Sequence, residues 1–119
     1  MGLDQNAYKV KKKYAISSIA VKDNCLEDSN EIMYWRKSYD VQDFMENLYR
    51  KKGGKNEFNC EVVRVTNRDL DNFEKYVIED ETCQMSGACK YDIEQNKKFI
   101  QLARDAILEG YYVYYWSWW

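Results

Sequence analysis

The 119-residue chain contains no histidine, and that absence decides most of the chemistry open to it. It removes Ser-His-Asp and Cys-His nucleophile arrangements, imidazole-ligated metal centres, and the one side chain that titrates unperturbed near neutrality. Acid–base work would fall on a carboxylate, lysine, tyrosine or thiol of shifted pKa. The four cysteines, Cys25, Cys60, Cys83 and Cys89, include no C-x2-C pair of the kind structural zinc sites favour. They read as Cys60 buried in a strand-like run and three further free thiols, with Cys83 and Cys89 close enough in one loop to pair under oxidant. Neither a metal nor a cofactor is implied.

Two clusters remain that could recognise another molecule. Tyr34-Trp35-Arg36-Lys37 combines two amphipathic rings with two cations, and on a helix Lys37 shares a face with Val41, Phe44 and Leu48. A lysine there either snorkels to water or points into a pocket holding an anion or carboxylate. The ending, Tyr111 to Trp119, places seven rings in nine residues. As a strand it presents Tyr112, Tyr114, Trp116 and Trp118 on one face and Tyr111, Val113, Tyr115, Ser117 and Trp119 on the other. One face packs under helices; the other either forms an apolar patch suited to a protein interface, base stacking or self-association, or is itself covered by helices and neighbouring strands.

The elements that must position these clusters follow from periodicity. Tyr8 to Val21 alternates as one long or two short strands. Asp28-Ser29-Asn30-Glu31 is a helix cap, and a first helix follows from about Ile32 to Arg50, closed by Gly53-Gly54. Phe58 to Val65 is a short strand with Phe58, Cys60 and Val62 on one face. Thr66 to Asp69 matches a capping box ahead of a helix carrying Leu70, Phe73 and Val77. Glu79 to Lys90 reads as a loop, a third helix spans about Tyr91 to Glu109, and Gly110 ends it. The fold class is α+β: one domain of two layers, about three helices covering one face of a mostly antiparallel sheet.

Composition sets the outer bounds. The 45% hydrophobic and 32% charged residues describe an ordinary globular chain. A net charge of −2 argues against a generic nucleic-acid binder. Two basic patches, Lys9 with Lys11 to Lys13, and Arg50, Lys51, Lys52 and Lys55, read as solvated charges on an edge strand and at a helix end. No stretch reaches bilayer length, and Met1-Gly2-Leu3-Asp4 lacks a secretory pattern, so the expected location is cytoplasmic.

Met1-Gly2-Leu3-Asp4, Tyr34-Trp35-Arg36-Lys37 and the tail Tyr114-Tyr115-Trp116-Ser117-Trp118-Trp119 together resemble a widespread family of small phage and prophage proteins recorded chiefly as uncharacterised. The resemblance runs from end to end, although only these short motifs are specific. Family members carry an asparagine and histidine and a tryptophan-phenylalanine pair further along the first helix. This chain has Ser38-Tyr39-Asp40-Val41 instead, and retains Tyr91-Asp92. The resemblance implies a virus-borne accessory gene acting on a component of the host bacterium, including its immune machinery.

The expected function is a non-enzymatic, host-modulating or counter-defence binding protein that grips a host protein. Its candidate contact residues are Tyr34, Trp35, Arg36, Lys37, Tyr91, Asp92, Tyr115, Trp116, Trp118 and Trp119. The alternatives are sequestration of an anionic nucleotide-like ligand, a small enzyme using Lys37, Asp40, Tyr91 and Asp92, and a self-associating subunit sealed by its aromatic tail.

Overall fold

A computed structural model describes residues 3–22, 26–78 and 90–119, apart from the side chains of Asp28, Ile78, Lys90, Tyr91 and Asp92. Cys25, Cys83, Cys89 and the expected loop over 79–89 lie outside the described residues. Strand β1 (Asp4–Lys11) leads through a 3-10 turn, Lys12–Tyr14, into a small hairpin, β2 (Ala15–Ser17) and β3 (Ala20–Val21). Strand β4 (Glu31–Arg36), helix α1 (Tyr39–Lys51) and strand β5 (Val62–Val65) follow. Helix α2 (Asn67–Phe73) runs on into a π-turn, Glu74–Ile78, and helix α3 (Lys90–Leu108) precedes the last strand, β6 (Tyr111–Trp118). The main sheet has the order β4-β1-β6-β5, with every neighbour antiparallel. Its two central strands are therefore the first and last of the chain.

The α+β class and the helical layer stand, but several expected elements change. The strand run expected over Tyr8 to Val21 opens earlier, at Asp4, and is broken by the 3-10 turn into β1 and a separate hairpin. Residues 32–36 do not open the first helix; they form β4, with Trp35 opposite Gln5 and Met33 opposite Ala7. Alternation decides it: Met33 and Trp35 are buried, Tyr34 and Arg36 exposed, a period of two that a helix cannot satisfy. A one-residue bulge at Ile32 interrupts the register, since Ala7 pairs with Met33 and Tyr8 with Glu31. The stretch Asp28–Asn30 is a 3-10 turn before the strand, not a helix cap.

The strand expected over 58–65 is shorter, Val62–Val65. Phe58 enters the core from the preceding loop. Cys60 sits at φ 62 and is exposed, so it is not the small core residue expected. The left-handed backbone turns its side chain out of the alternation while its N–H donates to Ser117 O at 2.8 Å.

Local signals elsewhere hold. The Thr66–Asp69 capping box starts α2, with Asp69 N–H donating to Thr66 Oγ1 at 3.3 Å and Thr66 N–H to Asp69 Oδ2 at 2.9 Å. Gly110, at φ 97, ends α3 and admits β6. The core between helices and sheet holds Trp35, Met45, Tyr49, Phe58, Leu70, Phe73, Phe99 and Tyr115. At Gly54 a Cβ would fall 2.3 Å from the Tyr49 ring, so only glycine allows that ring to close over the end of α1.

The second basic patch is tied into this frame. Lys52 Nζ donates to Asp69 Oδ2 at 2.7 Å and to the carbonyl of Arg64, and Arg50 pairs with Glu46 at 3.5 Å.

Candidate functional site

The sheet face away from the helices is only half covered. At the β5 end, Tyr8, Val10, Val62 and Tyr114 are buried beneath the β2–β3 hairpin, with Ala15, Val21 and Leu26 packed on them. The Tyr114 hydroxyl donates to Ser17 O at 2.6 Å, and Arg64 N–H donates to Ser18 O at 2.7 Å. These bonds anchor the hairpin. The other half of the face has no such cover among the described residues.

There the register assembles two rows of side chains. Asp4 pairs with Arg36 on one side and Trp118 on the other, while Asn6 pairs with Tyr34 and Trp116. Tyr34 is 45% exposed and Trp118 48%. Four residues expected to make contact, Tyr34, Arg36, Trp116 and Trp118, thus share one surface with two polar side chains between them. Trp116 is half-buried and also lines a cleft of about 420 Å³ with Val21, Leu26 and Cys60.

Polar bonds hold this surface in place. The Tyr34 hydroxyl donates to Asp4 Oδ1 at 2.5 Å, and Asn6 Nδ2 donates to Glu31 Oε1. The bond to Asp4, some loss of hydration and the carboxylate's charge together raise the Tyr34 pKa, so the hydroxyl remains a donor at neutral pH. Gln95 Nε2 of α3 donates to Tyr34 O at 2.7 Å, satisfying an outward carbonyl of the edge strand. Fixed in this way, the Tyr34 ring loses little freedom on contact, which favours binding.

The remaining expected residues are dispersed. Trp35 belongs to the core: its Nε1–H donates to buried Asn96 Oδ1 at 2.8 Å, and its ring meets Phe99 edge-on with centroids 4.8 Å apart. Tyr115 is also interior, accepting from Gln5 Nε2 at 2.8 Å and donating to Gln42 Oε1 at 2.6 Å, and burial raises its pKa strongly. Lys37 lies between β4 and α1 at φ 56, exposed, rather than on a helix face with Val41, Phe44 and Leu48. Its N–H donates to Leu3 O at 2.8 Å, while Gln5 bonds both main-chain groups of Ser38, and these contacts hold the left-handed turn. Trp119 is 42% exposed, its backbone held by the Asn59 amide. Tyr91 and Asp92 occupy the first turn of α3, with side chains outside the described residues.

Asp4 and Asn6 were not singled out as contact residues, yet β1 signals them. Its face reads Asp4, Asn6, Tyr8, Val10, polar and then apolar, which marks the half that is covered. Among the described residues no group of three or more His, Cys, Asp or Glu side chains is placed to hold a metal ion. None of their helices is long and apolar enough to cross a membrane. Compared with known proteins, the chain matches no family model, no curated protein and no solved structure.

Proposed function

We propose that this chain is a non-enzymatic binding protein whose open sheet face, built from Tyr34, Arg36, Trp116 and Trp118 around Asp4 and Asn6, docks onto a protein partner. The observation that carries this reading is the pair of cross-strand rows, which gather Tyr34, Arg36 and Trp118, with half-buried Trp116 beside them, on a surface that the hairpin leaves open among the described residues. Those three residue types dominate the energetics of protein interfaces. The polar pair between the rings supplies orientation, and the hydrogen-bonded Tyr34 supplies rigidity. The resemblance to small phage and prophage proteins suggests a host bacterial partner in the cytoplasm, with an immune component as the leading class.

The test is capture of partners from host lysate by the tagged chain and by Tyr34→Ala/Trp118→Ala. Both substituted residues are exposed, so circular dichroism should stay unchanged. A protein retained by the parent and lost by the variant supports the reading; identical recovery by both removes this face from recognition. Light scattering runs alongside. A dimer that the same substitutions dissolve would make the partner a second copy of the chain.

A further inference from the structure

At the far end of the sheet a second surface has a different chemistry. Lys9 and Lys11 to Lys13 were expected to be solvated charges on an edge strand; β1 pairs with β6 along its whole length, but its ladder with β4 stops at Tyr8 and Glu31, so Lys9 to Lys11 lie on a stretch that β4 leaves open. The lysines lie where β1 ends and β6 begins, Lys9 with Tyr111 on one face of the sheet and Lys12 with Tyr112 on the other, and the 3-10 turn carries Lys12 and Lys13 away from the strand. They stand over rings: Lys9 Nζ lies 5.0 Å from the Tyr111 centroid, Lys12 5.4 Å from Tyr112 and Lys13 5.1 Å from Tyr14. The Arg64 guanidinium lies 3.9 Å from the Tyr112 centroid. None of these cations joins an ion pair among the described residues, whereas Arg50, Lys52 and Arg104 each do. Lys11, Lys12 and Lys13 are exposed, and Tyr14 is 37% exposed.

We propose that this end of the molecule, formed by Lys11, Lys12, Lys13 and Arg64 around Tyr14 and Tyr112, binds single-stranded nucleic acid. Cations outside ion pairs attract phosphodiesters and release their counterions, and tyrosine rings stack on bases. Arg64, whose guanidinium donates to the Tyr114 hydroxyl at 3.0 and 3.2 Å, is held in place beside the lysines. Both kinds of group are interleaved here. A duplex hides its base faces from Tyr14, and an acidic peptide would use the lysines and leave the rings idle. The formal charge of −2, which argues against a generic nucleic-acid binder, is an average over the whole chain. At physiological salt the potential over a patch is set by charges within about 8 Å, and Lys11, Lys12 and Lys13 are consecutive and exposed. Along β1 this end lies roughly 23 Å from the Asp4 row and roughly 17 Å from the Asn6 row, at about 3.3 Å per residue, so the inference is independent of the proposed protein interface.

The experiment is fluorescence anisotropy with labelled oligonucleotides of about 12 nucleotides, as single-stranded RNA, single-stranded DNA and duplex, titrated over a range of salt concentrations. Single strands should bind, with RNA and DNA arms showing which backbone is preferred. Lys11→Ala/Lys12→Ala/Lys13→Ala should flatten the slope of log K against log salt by about 2, from about 0.7 per phosphate. Tyr14→Ala should weaken binding roughly 5- to 100-fold with the slope unchanged, and Tyr14→Phe should restore it. Tyr34→Ala/Trp118→Ala should bind like the parent. The proposal is overturned by no binding near 50 mM salt, by equal binding of duplex or competing polyglutamate, by a Tyr14→Ala affinity equal to the parent's, or by loss of binding in the Tyr34/Trp118 variant.

Discussion

Trp35 is fixed by one hydrogen bond whose acceptor, Asn96 Oδ1, lies 61 residues away and is itself buried. Trp35→Phe keeps an aromatic ring against Phe99 but leaves that acceptor dry and without its donor. The expected loss is about 1–3 kcal/mol in urea denaturation, before any cavity left by the smaller ring. Trp35→Phe/Asn96→Leu removes both partners and should recover much of it; if it does not, the hydrogen bond is not the cause. The same residue shows why the Tyr-Trp-Arg-Lys motif misled in part. A strand sends neighbours to opposite faces, so one residue of register decides which member of a Tyr-Trp pair is core and which is contact. Nothing local in the motif carries that register, because it comes from pairing with Gln5 and Ala7.

At the scale of elements, what could be read was what is written locally. The capping box of α2, the glycine that ends α3 and the aromatic run of β6 each depend on residues a few positions apart. Strand β4 and the β2–β3 hairpin depend on distant partners: Ile32 to Arg36 fits a helical stripe on paper, and only the neighbouring β1 selects the strand. The α2 cap also carries a pH signature. Burial raises the Asp69 pKa, but bonds from Lys52 and Thr66 outweigh it, so the folded value lies below the ordinary one. A depressed carboxylate pKa gives stability that is present above the unfolded value, near 3.9, and is lost as pH falls through the folded value. Asp69→Asn should therefore lower stability by about 1–2 kcal/mol at neutral pH, with the gap to the parent closing below about pH 4. Melting temperature followed from pH 7 to pH 3 checks this, and a gap constant across the range would rule out the charge as its source.

For the molecule as a whole, the surplus of rings at the C-terminus has a divided fate that follows from where β6 lies. It is not an appended tail but an interior strand, pairing with β1 along all eight residues and with β5 along four. Tyr114 and Tyr115 are fully buried on opposite faces; Trp118 reaches solvent past the hairpin's cover, and Trp119 reaches it beyond the last residue of the strand. Removing everything after Gly110 would separate β4-β1 from β5 and open both hydrophobic clusters at once. Each buried aromatic is worth about 3–5 kcal/mol on truncation, so losing two exceeds much of a margin of about 5–15 kcal/mol. The truncated chain is expected to show no cooperative urea transition. Trp118→Ser/Trp119→Ser in the full chain should keep the transition within about 1 kcal/mol, because exposed rings contribute little to the fold they decorate. A truncated chain that still unfolded cooperatively would show that the sheet closes without its central strand. A large loss from the double serine variant would mean that the two terminal tryptophans belong to the core rather than to the surface.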